Sequence, residues 1–136
     1  MQIFISYAQK DVDLARQINE HLEPFFDPWL WDMDMIPGEP DWATIEDAIE
    51  SSDLLVMLAT DYGVENENVW REVEHAQEHD VYILPLRGPE TPRAKLHHIS
   101  NLTTPKMDPD DLPRTLRMIA ETARRVRDAR TNRNYW

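Results

Sequence analysis

A three-layer α/β sandwich, with a central parallel sheet of about five strands and helices on both faces, is the fold this sequence predicts. Three observations predict it. Short apolar runs alternate along the chain with longer segments of helical periodicity. Those runs are apolar throughout rather than every second residue, so both faces of each strand must be buried. A chain of 136 residues holds one such domain with a real core, and a second domain is not expected.

The elements follow in order. "QIFISY" (2–7) is a short β-branched and aromatic run suited to a central strand. "DVDLARQINEHLE" places Leu14, Ala15, Ile18 and Leu22 at helical spacing. "PWLW" (28–31) is a second, proline-flanked strand. It leads into "DMDMIPGEP", whose Pro37-Gly38 and Pro40 predict an irregular loop. "DWATIEDAIESS" opens with Asp41 as an N-cap and sets Trp42, Ile45 and Ile49 on one side. "LLVMLA" (54–59) and "VYILPL" (81–86) are further buried strands, with a helix over 68–79 between them. Residues 87–111 hold four prolines and read as loop, with a brief edge strand near Leu102–Thr104. Leu112, Leu116, Ile119, Ala123 and Val126 then align on a last helix over about 110–129.

The whole chain, 1–136, therefore reads as one domain: a core over 2–86, the loop-rich 87–111, the last helix, and a basic tail to 136. Its length and strand pattern fit the flavodoxin-like order 2-1-3-4-5. In that order ligands sit beyond the carboxyl ends of the strands, beside the first one. Here those ends are Ser6-Tyr7, Asp32–Asp34 and Thr60-Asp61.

Composition narrows the function. Fourteen basic against 26 acidic residues give a net charge of −12, which argues against nucleic acid or an anionic membrane as partner. Residues 114–136 run the other way, with seven arginines against two acids. That stretch is either a solvated helix face or a surface for head-to-tail contact between copies. No cysteine is present, which excludes disulfides, cysteine zinc sites and thiol nucleophiles. The start "MQIFISYAQKD" lacks a signal-peptide layout, and a free-standing cytoplasmic domain is expected. The adjacent His97 and His98 sit in a loop without partners at ligand spacing, so no metal site is expected.

One carboxylate stands out. Winding 68–79 at about 100° per residue gathers Val69, Val73 and Ala76 into a buried stripe. Glu72 falls about 65° from its centre, at the edge of the core, whereas Glu74 lies about 135° away in water. Either the glutamate's methylenes merely tolerate a half-buried site, or the carboxylate is held for use. Two uses of such a fold fail on residues. A phosphoacceptor receiver needs an acidic pair after the first strand and an Asp after the third, where this chain has Ser6-Tyr7 and Ala59-Thr60. An FMN site needs a Ser/Thr/Gly-rich loop after the first strand, and "SYAQKD" has no glycine.

"IFISYAQKD", "WDMDMIPGEPDW", "VWREVEHA" and "ILPL", in this order across 2–86, resemble the successive boxes of a TIR (Toll/interleukin-1 receptor/resistance protein) domain of prokaryotic type. The resemblance implies the flavodoxin-like fold and one of two uses. One is NAD⁺ cleavage between nicotinamide and ribose, giving ADP-ribose or a cyclic ADP-ribose-type signal, here in prokaryotic (anti-phage) immunity. The other is a non-catalytic TIR–TIR interaction module. In the enzymes the essential residue is a glutamate of the third helix, the position of Glu72. NAD⁺ is then substrate, with no cofactor. A TIR–TIR homo-oligomer or filament, and a separate effector reading the nucleotide product, are the implied partners.

Ser6 and Tyr7 match positions lining the ligand crevice, Tyr7 being alternatively a core-edge aromatic. The segment Asp32–Pro40 resembles the mobile loop that covers the site and meets a neighbouring copy, which makes Gly38 a candidate contact. Asp32 and Asp34 either contact ribose or cap a turn. Trp31 and Trp42 read as core or loop anchors. Enzymatic relatives often carry an aromatic four residues before the glutamate, where this chain has Asn68. The nearest tryptophan, Trp70, projects about 160° around the helix from Glu72.

Overall fold

In the computed structural model, which describes residues 1–35, 37, 38 and 41–135 (backbone only for 132–135), the apolar runs form one parallel sheet. Its strands are β1 (Gln2–Ser6), β2 (Asp27–Leu30), β3 (Leu54–Ala59) and β4 (Tyr82–Arg87), in the order β2-β1-β3-β4. The register sets Ile5 beside Leu30 on one side of β1 and Ser6 beside Met57 on the other. The α/β class and the central place of the first strand agree with the sequence. Among the described residues the strand count is four rather than about five. Near the expected edge strand the chain makes only a single bridge, Arg87 to Lys106, and Leu102–Thr104 joins no ladder. Pro105 lacks the N–H that a continuing ladder would need.

The helices are α1 (Val12–Leu22), a one-turn α2 (Trp31–Asp34), α3 (Asp41–Glu50), α4 (Glu67–Glu78) and α5 (Leu112–Tyr135). Two differ from expectation. Trp31–Asp34 winds into a helical turn instead of an irregular loop, because the Asp34 carboxylate accepts the Leu30 N–H at 2.7 Å and closes the turn from below. The last helix runs to Tyr135 rather than about 129, since no Gly or Pro follows Val126 to stop it. Within the stretch expected as loop, Arg93–Ile99 forms 3-10 turns. The expected covering loop Asp32–Pro40 falls partly outside the described residues, as do Ile36, Glu39 and Pro40 themselves and the tail's last residue, Trp136.

Alternation along the strands sorts two cores. Phe4, Leu55, Met57 and Ile83 face α3 and α4, meeting Ile45, Ile49, Val69, Val73 and Ala76. Ile3, Ile5, Val56 and Leu58 face α1 and α5, meeting Ala15, Ile18, Ile119 and Ala123. Every residue of β3 is buried, as a strand covered on both faces requires. Beyond β3 the chain turns at Gly63, where a Cβ would lie 2.1 Å from the Leu58 carbonyl oxygen, so no larger residue fits.

Asn66 starts α4, its side chain accepting the Val69 N–H at 3.0 Å. Asn66→Ala is expected to cost about 1 kcal/mol, measured as a lower urea midpoint with unchanged slope. The basic α5 faces mainly solvent, with Arg130 paired to Asp53 at the foot of β3. That exposed basic face is open both to solvent and to a neighbouring copy.

Candidate active site

The period of two that sends Phe4 toward α4 sends Ser6 the same way, at the carboxyl end of β1. Neighbouring strands leave β1 on opposite sides, so its tip is the switch point of the sheet. One turn into α4, Glu72 comes down on this tip. The Ser6 hydroxyl donates to Glu72 Oε1 at 2.7 Å, a contact between residues 66 positions apart.

Glu72 is only 8% exposed, and Ser6 is its one hydrogen-bond partner among the described residues. No cation pairs with it there. Burial pushes its carboxyl up to about 7 from an ordinary 4.5, and the Ser6 hydroxyl pulls it partway back. The boundary position on the helix wheel thus becomes a desolvated carboxyl. Near neutrality it stands between its charged and neutral forms.

The carboxyl sits in the wall of a cleft of about 400 Å³, within the size range of small-molecule sites. Ile5 of β1, Tyr7 and Gln9 after it, Trp31 from α2, Asp41, Trp42 and Ile45 from α3, and Asn66, Asn68 and Arg71 at and in α4 complete the lining among the described residues. The Arg71 guanidinium lies over the Trp42 ring, 3.7 Å from its centroid, which holds a positive charge at the cleft wall.

The residues expected from the sequence divide here. Tyr7, Asn68 and Glu72 line the cleft, and Ser6, fully buried, stands behind the Glu72 carboxyl as its donor. Tyr7 packs on the core edge and also lines the cleft, while its hydroxyl accepts the Asp32 N–H at 3.2 Å. Burial raises its pKa, partly offset by that backbone donor. Asp32 and Asp34 do not line the cleft. Asp32 pairs with Arg16, and Asp34 caps its own turn, so the capping alternative holds for it. Gly38 is exposed in a turn at φ +94°, with no atom within 4 Å of where a Cβ would be, and is not among the residues that line the cleft.

Thr60-Asp61, the third expected tip, belongs elsewhere. Asp61 accepts from Thr91 at 2.7 Å beside a separate hollow under Gly88–Thr91. Trp70 points away from Glu72 as the helix wheel predicts, its indole N–H donating to the Val64 carbonyl at 2.8 Å.

Residue order alone does not point to Arg71, Asp41, Gln9 or Asn66 at the cleft, and from it Trp31 and Trp42 read as anchors. Periodicity carried a signal for Arg71, which follows Asn68 at a spacing of three on one helix face. Nothing local marks the others, because they enter the cleft from separate elements.

Comparison with known proteins places this geometry. The fold matches the TIR domain of the Toll-related receptor TRR-2 from Hydra magnipapillata with a TM-score of 0.72 at 20% identity, covering 92% of this chain and 97% of that one. It also matches the CMP N-glycosidase BcmB of Clostridium botulinum with a TM-score of 0.58 at 17% identity, covering 88% and 98%. No curated protein matches the sequence significantly. The family profile described as "TIR domain" matches residues 3–117, a span from β1 into α5 that takes in the whole sheet and the cleft. The chain belongs to the TIR domain family.

Proposed function

We propose that this domain is an NAD⁺ glycohydrolase or cyclase that breaks the nicotinamide–ribose bond, with Glu72 as the residue that stabilises the reacting sugar. The observation that carries the reading is a buried carboxyl at the cleft wall with a hydroxyl donor and no cationic partner among the described residues. An anion desolvated in this way gains most from a positive charge brought in by a ligand.

NAD⁺ brings that charge. Its nicotinamide is already a cationic leaving group, so no general acid is needed. This is why one carboxylate serves where ordinary glycosidases use two. As the bond lengthens, positive charge passes to the ribose, and a fixed carboxylate against the sugar hydroxyls is worth more there than in the ground state. Ser6 holds the carboxylate's orientation. Arg71 is the cation among the lining residues and suits the pyrophosphate. Trp31 and Trp42 offer aromatic faces to a base, a role that Asn68 cannot fill. Whether water or another nucleophile then reaches the sugar decides between ADP-ribose and a cyclic product.

The fold likeness to an enzyme named as an N-glycosidase is compatible with N-glycosidic cleavage on this scaffold, and at 17% identity it carries the fold alone. Self-association fits the exposed Phe25, Trp31 and Met33. The reading extends to cytoplasmic signalling in prokaryotic defence through an effector that binds the product, an extension that rests on family membership. Among the described residues, no helix is long and apolar enough to cross a membrane.

The test is nicotinamide release from NAD⁺ by concentrated protein, with and without a crowding agent. Turnover by the wild type supports the reading, and its absence from the assembled protein favours a scaffold. Ser6→Ala refines the test. Loss of a hydrogen bond to a charged group is worth about 1.5–3 kcal/mol. The pH midpoint of kcat/KM is therefore expected to rise by roughly one unit or more, and activity at pH 7 to fall about tenfold. A loss equal at every pH would mean that Ser6 is only structural.

A further inference from the structure

A second cluster of ionisable groups lies outside the cleft, where α4 packs on α3. His75 and His79 stand one turn apart on α4, with rings 4.2 Å between centroids. They face Glu46 and Glu50, one turn apart on α3. The Glu50 carboxylate reaches both imidazoles, with Oε1 at 3.0 Å from His79 Nε2 and Oε2 at 3.6 Å from His75 Nε2.

The other nitrogen of each ring already faces an oxygen. His79 Nδ1 lies 2.9 Å from the His75 backbone carbonyl, which can only accept, so this nitrogen carries the hydrogen and Nε2 is the atom turned on Glu50. His75 Nδ1 faces Glu46 Oε2 at 3.5 Å. His75 Nε2 is buried without a hydrogen-bond partner, on a residue only 8% exposed. Each ring thus presents Nε2 toward one carboxylate, while a carbonyl or a second carboxylate steadies its far side. That far-side support is what metal-bound histidines receive from their surroundings.

We propose that Glu50, His75 and His79 form a divalent metal site that staples α4 to α3, with Glu46 orienting His75. Two imidazoles and a carboxylate favour zinc or a neighbouring transition ion over magnesium or calcium, which prefer all-oxygen shells. The three donor groups already lie within 4.8 Å of one another. Zinc bonds of 2.0–2.1 Å in a tetrahedron set ligands about 3.3 Å apart, so small rotations of the half-exposed Glu50 and His79 close the remainder. Water takes the fourth position. Residue order draws attention only to the adjacent His97 and His98 and leads to no metal being expected, because neither Glu50 nor the packing of α3 on α4 is visible from the histidine spacing.

The staple has a consequence for the cleft. Asp41 and Trp42 line it from α3, and Asn68, Arg71 and Glu72 from α4. Trp42 also meets the His75 ring edge-on at 5.9 Å. A bound ion would fix the separation of those two walls.

The test is metal binding by the full chain, read without reference to turnover. Wild type stripped with chelator is titrated with zinc by calorimetry, and separately with cobalt(II) for the visible bands of a tetrahedral nitrogen–oxygen site. One ion per chain is expected, and zinc at about a hundredfold excess over Kd is expected to raise the melting midpoint by on the order of 10 °C. His79→Ala and Glu50→Gln, both at exposed positions, are expected to fold and to lose binding and protection, while His97→Ala keeps them. No uptake of zinc at micromolar concentrations overturns the proposal and leaves an ordinary ion pair. Uptake undiminished in both variants, or equal protection by magnesium, overturns it as well.

Discussion

Glu72→Gln is expected to abolish nicotinamide release from NAD⁺, cutting kcat by at least about 10²–10³-fold, the usual scale for removing one preorganised electrostatic contact to developing charge. The substitution is nearly isosteric, and an amide oxygen can still accept the Ser6 hydroxyl. What disappears is the negative charge alone. KM should change little if the carboxylate acts mainly on the transition state, so kcat and kcat/KM should fall together. In the wild type, activity should rise with pH through about 7, as Glu72 ionises, and then level off. If Glu72→Gln turns over NAD⁺ like the wild type, the carboxylate is a bystander and the reaction's centre lies elsewhere.

The second expectation is a stability difference of the opposite sign. The Glu72 carboxyl is raised on folding from 4.5 to about 7, so the folded state holds its proton more tightly than the unfolded chain does. The stability this contributes is complete below pH 4.5 and is lost as pH rises through about 7. A shift of that size corresponds to about 3 kcal/mol. Glutamine has no such dependence. Melting curves should therefore coincide near pH 4, diverge between pH 4.5 and about 7 and stay apart above it, with Glu72→Gln the more stable protein by up to about 3 kcal/mol, since the wild type must then bury a charge. A variant both firmer and inactive would mark Glu72 as kept for use at the expense of stability. Equal melting temperatures at pH 8 would contradict the desolvation of this carboxyl.

Much of this was legible from residue order. "LLVMLA" reads as a strand covered on both faces, because six consecutive apolar residues leave no side for water, and the structure makes it β3. The stripe of Val69, Val73 and Ala76 set Glu72 at the edge of the core before any contact was known, because a helix repeats every 3.6 residues whatever lies beside it. The positions that residue order left open share one cause. Asp34 near a strand tip is equally suited to a ribose or to a backbone N–H, and the winding of Trp31–Asp34 gave it to the Leu30 N–H. Trp42 on an amphipathic face reads as core, and it does pack on the core cluster, but Arg71 from another helix draws its ring into the cleft wall.

The sequence by itself determined the class of fold, the family and the one carboxylate worth testing, because these follow from local periodicity and from short boxes of adjacent residues. Only the tertiary structure decided that Glu72 has Ser6 as its partner across 66 positions, that its charge stands without a cation among the described residues, and that Glu50 meets His75 and His79. Desolvation and pairing depend on what packing brings within about 4 Å, and no spacing along the chain encodes that distance.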